Sequence, residues 1–232
     1  PVDVRSVRVP HGDDYAFLVH YINLSEQKDR EEKLQNAYYH LSHTIENLIF
    51  TISNIIESRD PYTSGHQKRV AELSRNIAEE LGLNEEEVKG IYFAGLLHDI
   101  GKIKIPAEIL SKPGKLTSVE MDLVRIHPET GADILKSIPF QWPVKDMVRH
   151  HHERLDGSGY PDGLKGETIY IGTRILAVAD VVEAMMSHRP YRPGLGMGAA
   201  IDEIKSGSGT LYDPEVVGVC KYLLEEKNFP FG

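Results

Sequence analysis

Histidine and aspartate recur in this 232-residue chain at positions where the surrounding pattern asks for apolar side chains, and no other feature restricts the fold as much. In "YFAGLLHDIG" the pair His98-Asp99 interrupts a helix that is otherwise apolar at its end, and in "RILAVADVVEAMM" Asp180 stands among continuous aliphatics. A buried carboxylate without a partner is expensive. Taken singly, Asp99 reads as a helix-end residue ahead of Gly101 and Asp180 as half of a salt bridge. They do not occur singly. His66, the His98-Asp99 pair, His127, the His151-His152 pair and Asp180 follow one another at intervals of 32, 28, 24 and 28 residues. Each interval is about the length of a helix with its connections, so each group comes from a different helix and a bundle can aim all of them at one point.

Imidazole with carboxylate and no cysteine suits a hard or borderline divalent ion such as iron or manganese. Seven such groups are more than one ion takes comfortably. Two ions sharing Asp99 as a bridge would each use three further ligands. Ions about 3.5–4 Å apart form the usual clamp for phosphate ester hydrolysis, and a water bridging them is acidified to hydroxide near neutral pH.

The required helices are legible beyond Arg59. "SGHQKRVAELSRNIAEELGL" repeats Val70, Leu73, Ile77 and Leu81 before a stop at Gly82, and the next helix starts after a cap at Asn84. Thr117 or Ser118 opens "TSVEMDLVRI", and Asp213 before Pro214 caps the last helix. "PVKDMVRHHH", "GTRILAVADVVEAMM" and "GAAIDEIKSG" complete a mainly α bundle.

The N-terminal part is different. Val2, Val4, Val7 and Val9, then Tyr15, Phe17, Val19 and Tyr21 after "PHGDD", alternate as in a β-hairpin. A lone hairpin is marginal in water, so it is expected to be the end of a larger sheet domain. From Leu34 a heptad runs through Tyr38, Leu41, Ile45, Leu48, Ile52 and Ile55. It reads either as a coiled coil joining two copies in a parallel dimer or as an amphipathic helix docked on its own domain. The expected division is a sheet-domain remnant at 1–24, a linker helix at 25–56 and a helical domain at 57–232.

Charge narrows the partners. Lys+Arg 26 against Asp+Glu 35 leaves a net charge of −9, so non-specific binding to nucleic acid polymers or acidic membrane is not expected, and a small anion needs a local cationic pocket. The single cysteine, Cys220, cannot close an internal disulfide; it is expected to be core packing in a cytoplasmic protein. No stretch approaches the roughly 18 apolar residues of a membrane span, so no direct membrane contact is expected.

Several motifs carry a family resemblance. "LLHDIGK" resembles the HD signature of the HD phosphohydrolase superfamily, and "HHERLDGSGYP" resembles the added signature of its HD-GYP branch. "RDPYTSGHQKRV", "LLHDIGKIKIP", "ILAVADVVEAM", "RPYR" and "GTLYDPEVV" stand in the branch's order, so the resemblance covers about residues 45–225. "YINLSEQKDREEKLQ" resembles the last strand and exit linker of a PAS sensor domain. The HD-GYP resemblance implies an HD-type helical bundle that hydrolyses cyclic di-GMP to pGpG or onward to GMP with two or three metal ions.

Carried onto this chain, the resemblance makes His66, His98, Asp99 and Asp180 ligands of one metal, and Asp99, His127, His151 and His152 ligands of the other. Members with a third metal are similar in having a glutamate four residues before the first ligand histidine; Tyr62 stands there, so two ions are expected. His150 lies outside the matching pattern and is expected to be solvated or supporting. Lys102 is expected to reach the phosphate as a point charge, and Arg189 and Arg192 to take the second phosphate. Each of these three also reads as a helix cap or surface residue. Asp60 and Tyr160 match family positions near the substrate. The loop "DGSGYPDG", with Gly157, Gly159, Gly163 and Pro161, reads also as a plain structural turn. Asp156 and Glu153 are expected to orient the neighbouring histidine rings. Glu183 stands where the family commonly has aspartate and His188 where an acid often precedes "RPYR"; both are expected to bear on the grip of guanine or phosphate.

Three functions are compatible with this pattern: a cyclic di-GMP phosphodiesterase, a catalytically weak cyclic dinucleotide receptor, and an HD-fold di-iron oxygenase. A receptor would be expected to lack a ligand, and none is missing. "RPYR" and Lys102 argue for phosphate. An upstream sensor domain and a homodimer through the linker helix complete the expected arrangement.

Overall fold

The structure is a computed structural model describing residues 2–59, 65–187, 194–227 and 229–230. It divides into two compact units, residues 1–48 and 49–232. In the first, β1 (Val2–His11) and β2 (Asp14–Asn23) pair antiparallel, with Val2 opposite Asn23 and His11 opposite Asp14. Gly12 makes the turn at φ 62°, where a β-carbon would be strained. Val4, Tyr15, Phe17, Leu18 and Tyr21 are all exposed on the hairpin.

Helix α1 (Ser25–Glu57) begins in the first unit and ends in the second. Its heptad residues are exposed, from 72% at Leu34 to 40% at Ile52. The stripe buried on its last turns is a different one, Ile49, Ser53, Ile56 and Glu57. The helix end is therefore buried on a face other than the heptad stripe.

The second unit continues with α2 (His66–Glu80), α3 (Glu85–Leu97), α4 (Ala107–Leu110), α5 (Ser118–Arg125), α6 (His127–Leu135), α7 (Val144–His150), α8 (Ile171–Met186), α9 (Met197–Ser206) and α10 (Pro214–Glu225). The starts follow local chemistry. Asn84 with Glu87 and Thr117 with Glu120 form reciprocal capping boxes, and Asp213 accepts from the backbone N–H of Glu215 and Val216. Leu73 and Ile77 of α2, Ile91 and Leu96 of α3, Met147 of α7, Ile175 and Leu176 of α8 and Leu224 of α10 are fully buried in one core. Cys220 belongs to it, and burial pushes its thiol up to about 12.

Helix α3 stops at Leu97 instead of running through His98-Asp99, and a short 3-10 helix, Ile100–Lys104, follows the turn. Aspartate and glycine are poor helix formers, and Gly101 is held so close to α6 that a β-carbon there would lie 1.9 Å from the His127 carbonyl oxygen. Gly95 does the same between helices, where a β-carbon would meet the Ala71 backbone at 2.6 Å. These two approaches bring the His98-Asp99 turn against α2 on one side and α6 on the other.

Candidate metal centre

Each histidine of the sequence pattern lies at or just beyond a helix end: His66 opens α2, His98 follows α3, His127 opens α6, and His151-His152 follow α7. Asp180 projects from the middle of α8. The structure brings all seven groups together. His66, His98 and Asp180 form one cluster and His127, His151 and His152 another, while His98, Asp99 and His151 form a third between them; within each, the donor atoms lie within 4.8 Å of one another. Asp99 Oδ2 is 3.7 Å from His66 Nε2 and 3.5 Å from His98 Nε2, and its Oδ1 is 3.4 Å from His127 Nε2. One carboxylate thus faces both histidine groups.

Backbone carbonyls set the ring orientations. The Nδ1 of His98, His127 and His151 meets the carbonyl three residues earlier, Gly95 at 2.7 Å, Val124 at 2.7 Å and Val148 at 2.8 Å. A carbonyl only accepts, so each Nδ1 carries the hydrogen and each Nε2 presents a lone pair to the cluster. His127 Nε2 and His151 Nε2 face each other at 3.2 Å, and His98 Nε2 is buried with no hydrogen-bond partner among the described residues. Burial holds His127 down to about 4 and His152 to about 3, and with the neighbouring rings it holds His151 well below the usual imidazole range. Uncharged rings whose lone pairs converge, beside carboxylates, fit a divalent cation and leave its donors unsatisfied by protein alone.

The carboxylates stay ionised against burial. Burial opposes the charge on Asp99, but Lys102, His98, His127 and His66 hold it well below the usual carboxylate range. The same opposition is overcome at Asp180 by the hydrogen bond from His66 and the nearby rings. At His66 burial disfavours the charged ring, yet Asp180 and Glu183 raise it to about 9.

Glu183 supports the cluster in a way its place in the sequence pattern did not indicate. It is fully buried and accepts from His66 Nδ1, from Arg69 Nε and Nη2 at 2.9 and 2.7 Å, and from the Ser187 hydroxyl. Position 183 therefore acts directly on a histidine of the cluster. Its spacing of three from Asp180 on one helix face was the available signal. Glu153 and Asp156 also differ from expectation, since neither reaches a histidine ring. Glu153 accepts from the backbone N–H of Asp162, Gly163 and Leu164 at 2.7, 3.0 and 3.1 Å, and Asp156 from that of Ser158 at 2.8 Å. Turn N–H groups take both Glu153 oxygens, and the Nδ1 of the neighbouring His151 already has the Val148 carbonyl as its partner. His150 pairs with Asp162 at 2.8 Å, away from the cluster.

Lys102 Nζ donates to Asp99 Oδ2 at 2.7 Å, so its charge sits directly on the shared carboxylate. Tyr160 stacks on His152 with ring centroids 4.8 Å apart, and the Arg125 guanidinium lies 5.6 Å from the tyrosine ring centre. Asp60, Tyr62, His188, Arg189 and Arg192 lie outside the described residues.

A family model described as HD domain matches residues 51–216. The chain is 45% identical over 168 residues to the cyclic di-GMP phosphodiesterase response regulator RpfG of Xanthomonas campestris, covering 72% of this chain and 44% of that protein. To a cyclic di-GMP phosphodiesterase of Thermotoga maritima it is 46% identical over 178 residues, with 74% and 48% covered. To 3'3'-cGAMP-specific phosphodiesterase 1 of Vibrio cholerae it is 42% identical over 153 residues, with 66% and 36% covered. The chain thus spans less than half the length of these relatives. Among solved structures, the V. cholerae cyclic GMP-AMP phosphodiesterase V-cGAP3 superposes with a TM-score of 0.61 at 22% identity, covering 78% of this chain and 49% of that one. The HD domain of L. monocytogenes PgpH superposes with a TM-score of 0.55 at 20% identity, covering 76% and 97%. These likenesses show a common fold. With the family match over residues 51–216 and the relatives in agreement, the chain belongs to the HD domain family, in its HD-GYP branch.

Proposed function

We propose that this chain hydrolyses the phosphodiester bonds of cyclic di-GMP, to pGpG, GMP or both, at a centre of two iron or manganese ions. His66, His98, Asp99 and Asp180 would hold one ion and Asp99, His127, His151 and His152 the other. The observation that supports this most directly is the Asp99 carboxylate, whose two oxygens lie 3.5 Å from His98 Nε2 and 3.4 Å from His127 Nε2 in the two separate clusters. When bound, such a pair of ions supplies a nucleophile near neutral pH and neutralises nonbridging phosphate oxygens. The chain's own part is preorganisation. Carbonyl-held Nδ1 atoms keep three imidazole lone pairs aimed inward, so no ring has to reorient during turnover. Lys102, paired with Asp99, keeps a positive charge beside the reacting phosphate as its charge builds. Tyr160 stays protonated because burial raises its phenol, and its ring lies against His152 as a flat wall for the substrate.

The relatives from X. campestris and T. maritima are named for cyclic di-GMP and others from V. cholerae for 3'3'-cGAMP, so both nucleotides belong in the test. Protein loaded anaerobically with iron or manganese is incubated with each, and the products are separated by chromatography. Linear pGpG or GMP from cyclic di-GMP is the expected result. Tight binding with no product would make the chain a receptor instead.

We further infer a parallel homodimer through α1 and a sensor domain that includes the hairpin. The heptad stripe from Leu34 to Ile55 is exposed along its length, as are Tyr15, Phe17 and Tyr21 of β2. Light scattering should show a dimer that is weakened by deletion of residues 1–44. A fully dimeric truncated protein would move the interface elsewhere. A cytoplasmic location rests on the single, buried cysteine; no helix among the described residues is long and apolar enough to cross a membrane.

A further inference from the structure

We propose that Glu57, the last residue of α1, is a positioning residue for His66, so that the end of the linker helix sets one half of the metal centre. Two carboxylate bonds carry the inference. Glu57 Oε2 accepts from the backbone N–H of Gly65 at 2.7 Å, and Oε1 from that of Gln67 at 2.9 Å. These two N–H groups flank His66, the first residue of α2. The usual source of such bonds is a cap side chain at the helix start, but the N-cap residue here is Gly65, which has none. A carboxylate from eight residues upstream does the work instead, and it complements the positive end of the α2 dipole.

The residue that supplies this cap is itself anchored. Glu57 is buried, and Ile49 and Ile56 fix the last turns of α1 in the same core as Val70 and Leu73 of α2. Just beyond it, Arg59 donates through Nη1 to the Ile103 carbonyl and through Nη2, at 3.3 Å, to that of Ile105. Ile103 lies in the 3-10 helix that follows Asp99 and contains Lys102. The end of α1 thus holds the backbone on both sides of the cluster. From the ring side, Glu183 fixes His66 Nδ1; from the backbone side, Glu57 fixes where that ring starts. Loss of the cap frays the first turn of α2 and displaces His66, while His127 and His151, held by the Val124 and Val148 carbonyls, and His152, stacked on Tyr160, keep their places.

The inference rests on the reading of these histidines as ligands, and the test separates the two. Binding of Mn2+ alone is measured by calorimetry for the full chain, Glu57→Gln, Glu57→Ala and Asp213→Ala. Asp213 caps α10, which carries no residue of the centre, so its variant reports simple loss of stability. Both Glu57 variants should bind one Mn2+ about 10-fold or more weakly and the other unchanged, since supports behind a ligand are typically worth that factor. Asp213→Ala should bind both normally despite a lower melting temperature. If the unaltered protein binds two ions and Glu57→Gln binds both as tightly, the positioning role is wrong. If the unaltered protein binds none, the reading of the centre fails instead. Should Glu57→Ala not fold, Glu57→Gln, which keeps shape and one acceptor, decides the matter.

Discussion

Replacing Glu183 by glutamine tests how much one buried carboxylate contributes to the centre. The amide keeps the volume and one acceptor for Arg69, but its NH2 group would face the donating Nδ1 of His66. The folded protein holds Glu183 at about 2, against an ordinary 4.5, in spite of burial, because His66, Ser187 and Arg69 donate to it. A depression of that size corresponds to about 3 kcal/mol, near the lower end of the roughly 3–5 kcal/mol lost when one member of a buried pair is removed. For a domain of this length about 1 kcal/mol shifts the melting temperature by about 2–4 °C, so the expected drop is about 6–12 °C.

The pH dependence has a definite sign. The depressed carboxyl contributes fully above 4.5 and loses its contribution as the pH falls towards about 2. His66, raised from 6.5 to about 9, contributes fully below 6.5 and loses its part as the pH rises through 9. The difference between native protein and variant should therefore be largest between pH 4.5 and 6.5 and shrink at pH 3. Differential scanning calorimetry at pH 6 and pH 3, with Mn2+ binding at pH 7, covers both consequences. The variant should also bind one Mn2+ about 10- to 100-fold more weakly. Melting within about 2 °C of the native protein at pH 6, with unchanged metal affinity, would refute the assignment of Glu183 to His66.

Asp99→Asn should release both metals and abolish turnover, because the shared carboxylate loses its charge; full occupancy by elemental analysis would contradict this. Lys102→Ala should keep both metals while kcat falls about 100-fold or more, as for loss of a preorganised charge partner; steady-state kinetics on the metal-loaded protein measures it. Thr117→Ala should cost about 1 kcal/mol by removing the cap of α5, read as a small drop in melting temperature. Glu120, held at about 2 by Lys112 and Thr117, stabilises above 4.5 and progressively less as the pH falls through 2, so the difference between Glu120→Gln and native protein should be smaller at pH 3 than at pH 6.

Much of the site was legible because chemistry and periodicity disagree where function lies. His98-Asp99 and Asp180 stand in aliphatic runs, and only a shared centre makes several such breaks economical. Capping residues were readable for a similar reason: Asn84, Thr117 and Asp213 satisfy N–H groups within three residues of themselves, a local requirement that sequence states directly. The cap of α2 was not readable, since its carboxylate, Glu57, comes from another helix.

The amino-acid order by itself determined the helical class, the locally capped starts of α3, α5 and α10 and the set of groups that meet, because residue type and spacing suffice for these. Only the tertiary structure decided who supports whom. Glu183 reached His66 across 117 positions of chain, Glu153 went to a turn instead of a ring, and Asp99 divided its oxygens between two clusters. Such partners are chosen by competition among donors and acceptors brought together by core packing, and that competition has no expression in local sequence.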